Sequence, residues 1–239
     1  MINGKKIGVV VAAGGSGERM GATTSKQLLS LNGETILFRT LKVFQESKEV
    51  DVIIISARGE DIASINKIID ANKLSKVISV VRGGQQRQDS VWNGLQALRE
   101  SNIDVMLVHD AVRPFINHEM ISSVANAAIE HGAAVVAVRP KDTIKVSAGN
   151  GFATTTLDRE NSWIVQTPQA FEFKLLSTAF EKAMRDGFYG TDDASLVERL
   201  GEKIKIVEGN YSNIKITTPE DLAFAEAISK EFQDQTGGS

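Results

Sequence analysis

With 239 residues, 42% of them hydrophobic, the chain has enough apolar side chains for a sizeable core and sits in the size range of one large or two small domains. Its 27 basic and 30 acidic side chains leave a formal charge of -3, which gives no bulk attraction for DNA or RNA, although local cations in a cleft still suit a small anion. The absence of cysteine excludes disulfides, thiolate zinc sites and a cysteine nucleophile, and three histidines leave little room for a zinc cluster.

At the amino end, MINGKKIGVVVAAGG puts two lysines before a short apolar run that enters glycines and ions, without the helical core or cleavage pattern of a signal peptide. No apolar run reaches the roughly 18 residues of a membrane span. The expectation is a soluble protein of a reducing cytoplasm, engaging neither membrane nor nucleic acid polymer.

Short β-branched runs at 7–11, 52–56, 77–81, 105–108 and 133–138 read as strands. Between them lie segments with helical spacing: Ile36, Leu37, Leu41 and Phe44; Ile62, Ile65 and Ile69; Val91, Leu95 and Leu98; Ile121, Val124 and Ala128. Strand and helix alternate, which predicts an α/β fold with a mostly parallel sheet flanked by helices. The rhythm breaks at 139–163, where 143–146 and 152–157 read as a hairpin joined by SAGNG. This protruding β-arm is too short for a core of its own. It is therefore an insertion in a single domain spanning 1–232, and a natural place for a second subunit to bind.

After QTPQAF, where Pro168 disfavours a helix interior, 174–185 and 192–200 read as helices and 203–207 and 213–216 as closing strands. Thr218, Pro219 and Asp221 announce a last helix, with Thr218 as its cap, ending near 228–230. Residues 233–239 read as a frayed tail.

Ligands of open α/β sheets sit beyond the carboxyl ends of the strands, and three polar clusters fall there. In the first, Ala12, Ala13, Gly14, Gly15, Ser16 and Gly17 lead to Arg19 and Lys26. Glycines bring backbone N–H groups close to an anion, while Arg19 offers a fork and Lys26 a mobile point charge. A plain turn is the competing reading, and neither GxGxxG nor GxxxxGK[ST] is present. The second cluster holds Gly83 and Gly84, whose backbone suits a planar base, and Ser90, whose hydroxyl suits both a ligand and the cap of the next helix, a cap that Asp89 could equally supply. In the third, Asp110 suits Mg²⁺ held against phosphate oxygens or caps a loop. His109 reads as a packed histidine, Arg113 as a bridge between loops and Arg87 as a brace paired with an acid.

Asp192 and Asp193 read as helix caps rather than a catalytic pair. Lys215, a lysine between apolar strand-like positions, suits a phosphate facing the crevice. Thr143 and Arg159, near the inner ends of the hairpin, are solvated unless the arm crosses to another subunit.

The ordered blocks AAGGSGERM, SKQLLSLNGETIL, GGQQRQDSV, LVHDAVRPF, DRE at 158–160, QTPQAF and NIKITTPEDL, spread over about 6–228, closely resemble the 2-C-methyl-D-erythritol 4-phosphate cytidylyltransferases. The resemblance implies a Rossmann-like nucleotidyltransferase fold that transfers the cytidylyl group of CTP to 2-C-methyl-D-erythritol 4-phosphate. The products are 4-diphosphocytidyl-2-C-methyl-D-erythritol and pyrophosphate, in non-mevalonate isoprenoid biosynthesis.

It further implies that the glycine loop with Arg19, catalytic Lys26 and Lys215 meets the triphosphate, and that Asp110 coordinates Mg²⁺. Gly83, Gly84 and Ser90 then read cytosine and ribose. A homodimer is implied as well, with interlocked arms bringing Thr143 and Arg159 to the polyol phosphate in the partner's site. Two positions depart from the family pattern: Ser25 stands where proline commonly precedes the catalytic lysine, and Gln85 where an acid is often found. Ribitol-5-phosphate cytidylyltransferase and a CTP-binding regulator of the same fold remain the alternatives. An NAD-dependent dehydrogenase is disfavoured by the missing dinucleotide spacing.

Overall fold

The computed structural model describes residues 2–15 and 25–236. Strand β1 (Ile7–Ala13) is followed by a small hairpin of β2 (Ser30–Leu31) and β3 (Glu34–Thr35). Asn32 and Gly33 turn that hairpin with φ of 51° and 85°, the left-handed geometry that an Asn-Gly pair adopts at low cost. This ribbon was not expected, because two-residue strands leave no periodicity to read. Helix α1 (Ile36–Glu46) starts where Thr35 Oγ1 accepts the Phe38 N–H at 3.2 Å. Next come β4 (Val52–Ala57), α2 (Ile62–Ala71), β5 (Val77–Arg82), α3 (Arg87–Ala97), β6 (Val105–Asp110), α4 (His118–His131) and β7 (Ala133–Val138).

The arm follows as β8 (Lys145–Ser147) and β9 (Ala153–Thr156), and the chain returns through β10 (Ile164–Glu172), α5 (Phe173–Arg185), α6 (Asp193–Glu198), β11 (Lys205–Glu208) and α7 (Pro219–Thr236). A seven-stranded sheet runs β11-β7-β10-β6-β1-β4-β5. All its neighbours are parallel except β10, which lies antiparallel between β6 and β7. Successive strand residues feed opposite faces: Val9 and Val11 pack with α1, α2 and α4, whereas Val10 packs with α3, α5 and α6. Since both faces are covered, the central strands are apolar throughout, which is why they were readable.

Two expectations require correction. The run at 213–216 is not a strand: Ile216 donates its N–H to the Val112 carbonyl at 2.9 Å, but Val112 lies in a loop and offers no ladder. Its apolar pattern serves instead a small cluster with Leu31, Ile36 and Ala225 under α7. Helix α7 continues to Thr236, into the segment read as a tail. QTPQAF, where a helix interior was disfavoured, belongs to β10, whose pairing with β7 shifts register between Val165 and Gln169, around a proline that has no N–H to donate.

The arm forms a separate antiparallel ribbon, exposed along both strands, with Phe152 at its turn 74% exposed. Its root is fastened to the body. The Arg139 guanidinium lies 3.9 Å from the Trp163 ring centre, the Lys141 ammonium 4.1 Å from that of Tyr211, and Tyr211 donates to the Arg139 carbonyl at 2.9 Å. Among the described residues no helix is long and apolar enough to cross a membrane.

Candidate active site

The sheet order reverses at β1, with β4 on one side and β6 on the other, so loops leaving these strands diverge and open a crevice. Ala12 of β1 stands opposite Asp110 of β6, which sets the glycine loop beside the carboxylate. A cleft of about 220 Å³ results, and it gathers Ala12, Gly14, Gly15, Lys26, Gly84, Ser90, Asp110 and Lys215 from the expected set. Ala13 is buried behind it, with its carbonyl accepting from Gln27 Nε2 at 2.7 Å. Gly83 lines an adjoining groove. Ser16, Gly17 and Arg19 lie outside the described residues. Thr143 and Arg159 are exposed on the arm and line neither this cleft nor its neighbour, and Arg159 donates to the Lys141 carbonyl at 3.2 Å.

Ser90 settles the geometry of the second loop. Its buried hydroxyl donates to the Gln86 carbonyl and accepts the Gly84 N–H, both at 3.1 Å, so it braces the loop from within. Helix α3 is started by Asp89, which accepts the Gln86 N–H at 2.9 Å. Space requires glycine at Gly84, where a Cβ would lie 2.1 Å from Asp89 Cβ, and restricts Gly83, where it would lie 2.7 Å from Ser90 Oγ, whereas at Gly15 it would meet only the flexible end of Lys26, with Cε at 2.6 Å.

Asp110 is nearly buried and carries the electrostatics of the site. Arg87 Nε bonds its Oδ1 at 2.9 Å and Lys215 Nζ its Oδ2 at 2.7 Å, while Arg113 Nε stands 3.9 Å from Oδ2. Burial pushes the carboxyl upward, but the charges and hydrogen bonds of Arg87 and Lys215 outweigh it and hold Asp110 well below the usual carboxylate range. It is therefore an anion at any working pH.

A hard, deprotonated oxygen donor fits Mg²⁺, yet the described residues hold no group of three His, Cys, Asp or Glu that would cage an ion. The donor set fits a magnesium ion that arrives with phosphate oxygens and takes a single protein carboxylate.

His109 is fully buried. Its Nε2 lies 3.1 Å from the Arg113 carbonyl, which only accepts, so Nε2 carries the proton; Nδ1 then accepts from the Thr167 hydroxyl at 3.1 Å. The same hydroxyl accepts the Asp110 N–H at 3.1 Å, locking the end of β6 to β10. Burial lowers His109 to about 4 and keeps it neutral. It is the packed histidine the sequence suggested.

A second cleft of about 310 Å³ shares Arg87, Asp110 and Lys215 with the first and adds Arg113, Thr167, Gln169 and Thr191. The three shared side chains form the wall between the clefts. Sequence reading missed this second space, because Thr167 and Gln169 sit in β10 and Thr191 in a loop without periodicity. It also paired Asp192 and Asp193 as caps. Asp192 does cap α6, accepting the Ser195 N–H at 2.9 Å, but Asp193 is buried and bonds Arg87 Nη1 at 2.8 Å.

Comparison with known proteins adds an independent line. The family model for 2-C-methyl-D-erythritol 4-phosphate cytidylyltransferase, IspD, matches residues 7–231. The enzyme of that name from Geobacillus thermodenitrificans is 48% identical over 219 residues, covering 92% of this chain and 95% of the relative. Its counterpart from Syntrophus aciditrophicus is 43% identical over 227 residues, covering 95% and 97%. Among solved structures, 4-diphosphocytidyl-2C-methyl-D-erythritol synthase from Anaerococcus prevotii aligns with a TM-score of 0.86 at 34% identity, covering 96% of this chain and 98% of the other.

Proposed function

The chain belongs to the 2-C-methyl-D-erythritol 4-phosphate cytidylyltransferase family, and from that premise we propose how its clefts divide the reaction. The enzyme transfers the cytidylyl group of CTP to 2-C-methyl-D-erythritol 4-phosphate, forming 4-diphosphocytidyl-2-C-methyl-D-erythritol and pyrophosphate. One observation carries the assignment of parts: two adjoining clefts share a wall of Asp110, Arg87 and Lys215, so two anions can lie on either side of one set of charges. CTP occupies the glycine-lined cleft, with cytosine and ribose against Gly83, Gly84 and Ser90. Its triphosphate lies along Ala12 to Gly17, Arg19 and Lys26. The polyol phosphate occupies the second cleft.

A phosphate oxygen of the polyol attacks the α-phosphorus in line. The new P–O bond forms as the bond to the bridging oxygen breaks, and pyrophosphate leaves with that electron pair. The attacking phosphate is already anionic near neutral pH, so no general base is needed. The barrier is the approach of two anions, and Arg19, Lys26 and Lys215 lower it by holding the triphosphate in a preorganised site. Mg²⁺ bound through Asp110 and the phosphates would add charge neutralisation at the phosphoryl oxygens.

We further propose a homodimer in which each arm reaches the other subunit's second cleft with Thr143 and Arg159. Two facts support it: neither residue lines its own chain's clefts, and the arm exposes Phe152, Leu157 and Val146. We place the enzyme in the cytoplasm, the compartment that supplies nucleoside triphosphates.

Pyrophosphate release with CTP and Mg²⁺, comparing methylerythritol phosphate with ribitol phosphate, tests the reading. Faster release with ribitol phosphate would reassign the substrate. Tight CTP binding without any release would make the protein a regulator.

A further inference from the structure

Asp193 is 1% exposed, a carboxylate at the first position of α6 that the helix does not need for its start, since Asp192 provides the cap. Burying a lone carboxylate is costly unless it is paired and hydrogen-bonded. Its partner is Arg87, whose Nη1 donates to Asp193 Oδ2 at 2.8 Å while its Nε donates to Asp110 Oδ1 at 2.9 Å. One planar fork thus joins two carboxylates from elements far apart in sequence, and the remaining Asp110 oxygen faces Lys215.

The surroundings fix the distance that the fork spans. Gln88, the next residue of α3, donates to the Phe188 carbonyl and accepts the Gly190 N–H, both at 2.9 Å, and Tyr189 donates to Asp89 Oδ1 at 3.2 Å. These contacts dock the loop before α6 onto the first turn of α3.

We propose that Asp193 is a positioning residue for cytidylyl transfer: it anchors one arm of the Arg87 fork so that the other holds Asp110 in place at the wall between the two clefts. The inference rests on reading the first cleft as the CTP site. Asp110 and Asp193 offset Arg87 and Lys215, and Arg113, 3.9 Å from Asp110, adds a further cation beside them. Asp193→Asn keeps the shape of the side chain and an oxygen acceptor for Arg87 but removes one negative charge. Two consequences follow, in opposite directions. The wall gains one unit of positive charge, which strengthens binding of an anionic nucleotide. Arg87, held less firmly, no longer fixes Asp110, which impairs turnover. A residue serving stability alone would not separate the two.

The test is calorimetric titration of the full-length Asp193→Asn protein with CTP in MgCl₂, alongside steady-state turnover with methylerythritol phosphate. The expected result is CTP binding tighter by about tenfold or more, since one added unit charge at an effective dielectric near 20 exceeds a tenfold effect within roughly 12 Å, with kcat lower by about tenfold or more. A fall in kcat without tighter CTP binding, or no change in either, overturns the proposal.

Should Asp193→Asn alone not fold, Arg87→Met is compared with Arg87→Met/Asp193→Asn, in which neither charge is stranded. Turnover equal within about twofold shows that Asp193 acts through Arg87, whereas a further fall in the double variant overturns it. Failure of the wild-type enzyme to bind CTP would instead remove the reading of the cleft on which the inference rests.

Discussion

His109 offers a quantitative check on the polar lock between β6 and β10. Burial disfavours its charged form and lowers it from 6.5 to about 4. The unfolded chain takes up this proton as pH falls below 6.5, while the folded chain does so only near 4. Over that window the unfolded state binds more protons, so stability falls as pH falls, and the loss is complete below the folded value. At about 1.4 kcal/mol per pH unit, the full loss is on the order of 3 kcal/mol, with about 2 kcal/mol gone by pH 5. The assay is urea unfolding at one protein concentration, from pH 7.5 to 4, for wild type and His109→Asn. The variant starts less stable, because the bonds to Thr167 and the Arg113 carbonyl are disturbed, but it lacks this titration. Its stability should fall less steeply, closing the gap by about 2 kcal/mol at pH 5. Parallel profiles would refute the buried, neutral histidine.

Lys26→Ala should lower turnover by roughly 100-fold or more while weakening CTP binding far less, as expected for a contact that strengthens in the transition state; near-normal turnover with weak CTP binding would assign Lys26 to ground-state binding. Arg159→Ala should raise the KM for the polyol phosphate and leave CTP affinity near wild type, and unchanged kinetics for that substrate would remove it from the site. Verified heterodimers of Arg159→Ala with Lys26→Ala should regain activity if arms cross between subunits; inactive, well-folded heterodimers would refute the crossing. Gly84→Ala should weaken CTP binding by about tenfold or more, since a Cβ placed 2.1 Å from Asp89 Cβ forces the loop outward and breaks the Gly84 to Ser90 bond. Calorimetry checks this directly, and wild-type affinity would show that the loop does not read the nucleotide.

The central strands were legible because burial on both faces demands continuous apolar runs, as in 7–11 and 133–138, whose ends the structure barely moves. Strand β10 was not. Its buried Gln166, Thr167 and Gln169 put polar groups where an apolar run would be sought, and each is there for a partner: Asn210, His109 and Asp192 respectively. The opposite error occurred at 213–216, where Asn213 is buried for its bonds to Gln166 and Thr167 and Ile216 for a local cluster. Lys215 stood out as a charge amid apolar neighbours, and Asp110 as a carboxylate ending an apolar strand. Arg87 was legible as a brace, but not the identity of its acids, since ion pairs across such sequence separations leave no pattern along one chain.

Those acids change how the site is understood. A cleft meant only to hold a triphosphate would be lined with cations, and it would hold pyrophosphate as firmly as CTP. Uniform binding of that kind lowers KM without accelerating the chemical step. Here Lys215 faces a carboxylate at 2.7 Å, and Arg87 is shared between two. A phosphate that draws on Lys215 must compete with Asp110 for it, so ground-state attraction is partly cancelled. Under the proposed assignment of the clefts, charge that develops at phosphorus during transfer meets cations already oriented by their acids, whose alignment costs nothing further at that moment. On this reading Asp110 and Asp193 temper affinity in favour of turnover, and the opposite responses expected of Asp193→Asn in binding and in kcat follow from that division.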